Sequence, residues 1–216
     1  MISNINSDHT FVFDLDDTLY KEIDYLKSAY TEIARNVSGQ QWQATYAKMF
    51  ALYREKKNVF DFITSQFDVE IDELLQLYRQ HKPKIVLSDE VKGLLNSIKE
   101  KGAHIAVLTD GRSIGQRNKI EALGLEEWIE KAFISEELGS EKPSEKNFIA
   151  VEEYFNSTKY YYIGDNLKKD FITPNKRGWN TIGLIDNGLN IHVDSTNFEK
   201  STHLPNHFLI SLSELL

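Results

Sequence analysis

Residues 11–20 read FVFDLDDTLY, and the change of character inside this stretch decides how the rest of the chain is read. Phe11, Val12 and Phe13 are a short apolar run of the kind that forms a strand buried on both faces. Asp14, Asp16 and Asp17 follow at once with Thr18 beside them, before Leu19 resumes apolar packing. A turn there collects carboxylates and a hydroxyl at the end of a buried strand, the place where open α/β sheets hold their ligands. Alone, the cluster reads equally as a solvated turn behind a core strand, so the rest of the chain must decide.

The chain has 216 residues, 41% of them hydrophobic and 27% charged, which is the composition of a folded domain rather than a disordered one. It is long enough for a sizeable core with an insertion. The formal net charge of -8 argues against a surface built for nucleic acid, though not against a local pocket for a small anion. Cysteine is absent, which excludes thiol nucleophiles, disulfides and thiolate-bound metals. The opening MISNINSDHT has neither a basic segment nor an apolar stretch of signal-peptide length, and no apolar run is long enough to cross a bilayer. A cytoplasmic location with no membrane partner is therefore the expectation.

From Tyr20 to about His81 the strand pattern gives way to helical periodicity. Tyr46, Met49, Phe50 and Tyr53 recur at helical spacing, as do Ile71, Leu74, Leu75 and Tyr78, which predicts a helical bundle packed through these residues. Pro83 marks a connection, after which strands and helices alternate. Ser88 or Asp89 caps a helix carrying Val91, Leu94, Leu95 and Ile98, with Gly102 as its terminator. Strands are predicted at Ile105–Leu108, Ala132–Ser135, Tyr160–Ile163, Thr181–Ile185 and His207–Ile210, with a helix around Ser113–Leu123, another from Pro143 to Phe155, and a short one that Thr173 caps ahead of Pro174 and Gly178 closes. A helix is expected to finish the chain. This rhythm predicts an α/β fold, a Rossmann-like parallel sheet flanked by helices, with an all-α subdomain inserted in it. The core would be residues 1–19 and 83–216 and the insertion residues 20–82.

In such a sheet the carboxyl ends of the strands share one edge. Asp14 and Asp16, Thr109, Lys142, and Asp165 with Asp170 all sit at such ends or in the loops beyond, and so converge. Three carboxylates in one cleft repel one another, a cost that a hard divalent cation such as Mg²⁺ removes. A lysine, a threonine hydroxyl and the backbone beside Gly111 suit a phosphate oxygen.

These residues resemble the four ordered motifs of the haloacid dehalogenase (HAD) superfamily of aspartate-nucleophile phosphatases: Asp14-Leu15-Asp16-Asp17-Thr18, Thr109, Lys142 and Gly164 through Asp170. LTDGR at 108–112, EALGL at 121–125 and EKPSEKNF at 141–148 agree with the resemblance, whereas Ser144 stands where relatives often carry aspartate. The insertion then corresponds to the family's helical cap. The resemblance implies that Asp14 is the nucleophile and becomes an aspartyl phosphate, and that Asp16 protonates the leaving oxygen and later deprotonates water. It implies Mg²⁺ held by Asp14, the backbone carbonyl of Asp16, and Asp165. Thr109, Asp110 and Gly111 would hold the phosphoryl group, with Lys142 offsetting charge and Asp170 ligating through water or orienting Lys142. Asp16 is expected to hold a proton near neutral pH while Asp14 stays ionised. An acidic residue at position 16 weighs against dehalogenation, because expelling halide requires no proton.

The expected activity is Mg²⁺-dependent hydrolysis of a small phosphorylated metabolite. A sugar phosphomutase of the same superfamily and a catalytically silent phosphometabolite-binding or regulatory protein are the alternatives. The six histidines, His9, His81, His104, His192, His203 and His207, lack metal-ligand spacing and read as surface or satisfied residues. Lys168, Lys169, Lys176 and Arg177 read as a solvated helix face. Arg112 fits substrate contact or a surface ion pair, and Tyr20, Lys21 and Glu22 fit a hinge that gates the cleft.

Overall fold

A computed structural model of the chain describes residues 2, 4–192 and 195–216. Its centre is a six-stranded, wholly parallel sheet in the order β3-β2-β1-β4-β5-β6. The strands are β1 His9–Phe13, β2 His104–Thr109, β3 Lys131–Ile134, β4 Lys159–Gly164, β5 Asn180–Leu184 and β6 His207–Leu209. β1 begins two residues ahead of the apolar run, because His9 pairs with Lys159 and Thr10 with Tyr160 on β4.

Alternation along the strands divides the interior in two. Phe11 and Phe13 of β1, Ile105 and Val107 of β2, and Tyr161 and Ile163 of β4 pack on one face. Val12, Ala106, Leu108 and Tyr162 pack on the other. The first face is covered by α5 (Asp89–Glu100) through Val91, Leu94, Leu95 and Ile98, and by α6 (Ser113–Leu123) through Ile120 and Leu123. The second is covered by α8 (Glu145–Phe155) through Phe148 and Val151, and by Phe171 at the head of α9 (Ile172–Lys176). Burying each such side chain stabilises the fold by about 1.5–3 kcal/mol. Ser88 does cap α5, its side chain accepting from the N–H of Val91 at 3.2 Å.

Between β1 and β2 the chain builds α1 (Glu22–Ser38), α2 (Trp42–Arg54), α3 (Val59–Gln66) and α4 (Ile71–Gln80). Leu26, Tyr30, Ile33, Met49, Ile63 and Leu74 form a cluster of their own, separate from the sheet's two faces. Within α4 the packed side is Leu74, Leu77 and Tyr78, whereas Ile71 is exposed. Ile71 is the helix's first residue, before the stripe turns inward.

Two terminal features differ from expectation. Thr173 lies inside α9 behind Phe171, and its hydroxyl donates to the carbonyl of Pro143 instead of capping. The chain ends in a single 3₁₀ turn, Leu212–Leu215, capped by Ser211. Neither affects the edge where β1, β2 and β4 end.

Candidate active site

The sheet order reverses between β1 and β4, so their carboxyl ends splay apart into a crevice. Asp14 leaves β1 with its N–H still donated to the carbonyl of Ile163 on β4, at 2.8 Å, which fixes the residue in the sheet. Asp165 leaves β4 on the other side. Thr109 ends β2, and Lys142 arrives from the loop between α7 (Ser135–Leu138) and α8. Asp14, Asp16, Thr109, Asp110, Asp165 and Lys169 are among the residues lining a cavity of about 100 Å³ at this point. The distant stretches expected to converge do so.

Lys142 is fully buried, and each of its donors is used. Its Nζ lies 2.7 Å from Asp14 Oδ1, 2.8 Å from Asp170 Oδ1 and 2.9 Å from the Tyr162 hydroxyl. Asp170 is equally committed, its Oδ2 accepting from the N–H of Asn166 at 2.9 Å. Its approach requires Gly164, where a Cβ would stand 2.5 Å from Asp170 Oδ2. Asp170 therefore orients Lys142.

One carboxylate oxygen from each of Asp14, Asp165 and Asp170 falls within 4.8 Å of the others. The acidic cluster is thus completed by Asp170, with the Asp16 side chain outside it. Burial pushes the Asp14 carboxyl up to about 6 although Lys142 opposes the shift. Burial, with Asp170 and Asp14 as neighbouring charges, pushes Asp165 up to about 9. Carboxylates held this close repel one another, a cost that a bound cation would remove.

Asp16 behaves in the opposite way to expectation. Burial works to raise its pKa, but Lys119 overrides this and holds it below the usual carboxylate value. Lys119 Nζ lies 2.7 and 2.9 Å from the two Asp16 oxygens, Gln116 Nε2 donates to Oδ2 at 3.0 Å, and the Tyr20 hydroxyl donates to Oδ1. Glu22 takes the raised value instead, about 8, through burial beside Asp16.

The turn expected to hold the phosphoryl group also differs in detail. Gly111 adopts φ 141°, which a side chain would strain, but its N–H is donated to Ser135 Oγ at 2.9 Å and is not free for a ligand. The Asp110 carboxylate accepts from the Lys142 N–H at 3.0 Å and from Lys169 Nζ at 2.9 Å. Its side chain thereby organises the two lysines. Arg112 makes the surface ion pair, 3.9 Å from Glu136.

Several residues of this site were not marked by sequence reasoning. Lys169, read as solvated, lines the cavity, and so does His192, read as a surface residue. Gln116 and Lys119 were missed altogether. A signal existed: with Ile120 and Leu123 they occupy one buried face of α6, and a lysine on such a stripe is rare unless paired. Lys21 and Asp17, at the entry to the helical insertion, are tied to the segment after β5. Asn190 accepts from Lys21 Nζ at 2.6 Å and donates to Asp165 Oδ2 at 2.8 Å, while the Ile191 N–H donates to Asp17 Oδ2 at 2.8 Å.

Residues 11–184, which supply the buried carboxylate–lysine–carboxylate chain at the switch point of the Rossmann-like sheet, match the family model for haloacid dehalogenase-like hydrolases. The chain belongs to that family. It is 27% identical over 192 residues to a glyceraldehyde 3-phosphate phosphatase of Methanopyrus kandleri, covering 80% of this chain and 82% of that protein. A ribulose-1,5-bisphosphate 5-phosphatase of Halopiger xanaduensis is 27% identical over 131 residues, 60% of this chain and 55% of its own. Among solved structures, the magnesium-bound HAD-hydrolase YfnB of Bacillus subtilis superposes with a TM-score of 0.66 at 20% identity, over 97% of each chain. That likeness is one of fold.

Proposed function

We propose that this chain is a Mg²⁺-dependent phosphatase acting on a small phosphomonoester, with Asp14 as nucleophile and residues 20–82 as the cap over its cleft. The observation that carries the reading is the Asp14–Lys142–Asp170 chain beside Asp165: a buried carboxylate held by one ammonium, in a crevice acidic enough to need a cation. The named relatives are phosphatases of phosphorylated sugars, which supports the same chemistry.

Asp14, Asp165 and, through its carbonyl, Asp16 would hold Mg²⁺, which fits the repulsion among the cluster's carboxylates. The ion supplies charge neutralisation at the phosphoryl oxygens when bound. An Asp14 oxygen bonds to phosphorus as the ester P–O bond breaks, and the leaving oxygen takes the proton of the Asp16 carboxyl, which leaves the carboxylate paired with Lys119. Water then attacks the aspartyl phosphate and returns its proton to Asp16, which frees phosphate and Asp14. Lys119 sets Asp16 in the ionised form that the second step uses. Thr109 and Lys169 bound the phosphoryl pocket, and Lys142 offsets charge on the nucleophile.

The test is phosphate release from a panel of phosphomonoesters with Mg²⁺ or EDTA. Turnover should require Mg²⁺ and fall by at least about a thousandfold in Asp14→Asn, which keeps size but removes the anion. Full activity in that variant would end the proposal.

A further inference from the structure

A second cavity, of about 760 Å³, adjoins the catalytic cleft and shares Asp110, Asn166, Lys169 and His192 with it. Its far walls come from both parts of the molecule: Lys56 from the turn between α2 and α3, and Lys168 from the loop after β4. Of the four lysines lining it, two are committed, Lys142 to Asp14 and Asp170 and Lys169 to Asp110. Among the described residues, the ammonium groups of Lys56 and Lys168 have no acidic partner. Glu141 is the single other acid on its walls besides the paired Asp110. Both residues are exposed, and in a chain of net charge -8 they add two cations to the walls of one cavity against the single acid Glu141.

The backbone under Lys56 adds a second, independent observation. The Lys57 N–H donates to the Leu52 carbonyl and the Lys56 N–H to the Tyr53 carbonyl, both at 2.9 Å, the pair of bonds that closes a helix in a Schellman turn. That turn requires a left-handed residue, and Lys56 supplies it at φ 57°. Glycine takes this position without strain, and asparagine tolerates it better than a long side chain does. A lysine where the turn favours glycine is a local cost beside the cleft, one that a ligand bound by its side chain would offset.

We propose that this cavity is an anion subsite in which Lys56 and Lys168 bind a carboxylate or second phosphate on the leaving group. The substrate is then a phosphomonoester bearing another anionic group, such as a bisphosphate or a phosphorylated acid, in preference to a phosphorylated aldehyde or alcohol. The inference rests on the phosphatase reading above and narrows it. Because one lysine comes from the helical insertion and the other from the core, an anion seated between them also bridges the two parts.

Matched substrate pairs test it. 3-Phosphoglycerate against glycerol 3-phosphate changes a hydroxymethyl group to a carboxylate, and fructose 1,6-bisphosphate against fructose 6-phosphate adds a phosphate. In at least one pair, kcat/KM should favour the more anionic member by about tenfold or more, as expected for charge-assisted hydrogen bonds. Which pair does so distinguishes carboxylate from phosphate. The preference should shrink as salt is raised, by screening, and should collapse to within about threefold in Lys56→Met/Lys168→Met, with the loss falling on KM. Equal turnover within both pairs, or a preference that survives the double substitution and high salt, overturns the subsite alone. Absence of phosphate release from every pair and from aryl phosphates overturns the phosphatase reading and the subsite with it.

Discussion

The sheet's carboxyl edge and the interior of the helical insertion are both buried, yet they are filled in opposite ways. In the insertion, Met49, Ile63 and Leu74 are fully buried among apolar and aromatic neighbours, so each contact adds to the others and none depends on charge. At the edge, Asp14, Lys142 and Asp170 are buried to a similar degree, and none of them is tolerable without the other two. Burial of the first kind builds stability. Burial of the second kind uses stability that the surrounding sheet provides, and holds reactive groups in fixed positions.

Lys142→Met is the strongest way to break this contrast. It strands two buried carboxylates, so unfolding in urea should show a loss of about 3–5 kcal/mol along with abolished turnover. If stability stays within 1 kcal/mol of the unaltered chain, as a rough threshold, the edge is not the interdependent unit described. Met49→Ala probes the other region: a cavity there should cost about 2–4 kcal/mol by the same measurement while leaving the ratio of alkyl to aryl phosphate turnover where it was.

Lys119→Met sharpens the comparison within the edge itself. Because Lys119 acts through Asp16 in the hydrolytic step that all substrates share, turnover of alkyl and activated aryl phosphates should fall together, by about tenfold, and Lys119→Arg should recover most of the loss. The same substitution made in Asp16→Asn should add little. A loss confined to the alkyl phosphate would mean that Lys119 serves the leaving-group proton instead, and a further loss in Asp16→Asn that it only props up the fold.

The smallest effect expected is on the surface. Arg177 donates to both oxygens of Glu152, Nε at 2.9 Å to one and Nη2 to the other, and these bonds hold the carboxyl below its usual value. Since the folded pKa is depressed, this stabilisation is present above the unfolded value of about 4.3 and is lost as pH falls through the folded one. Arg177→Met should flatten the stability–pH slope in that acidic window by a few tenths of a kcal/mol at most, because the pair is partly solvated.

Much of this was legible in the chain. The run Phe11–Phe13 ending in acids, Ile105–Leu108 ending at Thr109, and Tyr160–Ile163 ending at Gly164 and Asp165 announce strands and mark which end is chemical, since period-2 burial and turn residues are local properties. The Ser88 cap and the span of α6 were legible for the same reason. The boundary of β1, the exposed start of α4 and the 3₁₀ end of the chain were not, because pairing partners and packing set those.

Sequence alone determined the α/β rhythm, the four motif positions and the acidic character of the site, all of which depend on residue type and order. Only the tertiary structure decided that Lys119 and Gln116 of a distant helix take hold of Asp16, that Asp170 holds Lys142, that the Gly111 amide is already engaged, and that Lys56 and Lys168 face one cavity from two sides. Charge and hydrogen bonding act through space across a few ångströms, and residues a hundred positions apart meet at that range only once the sheet order and the insertion's placement are known.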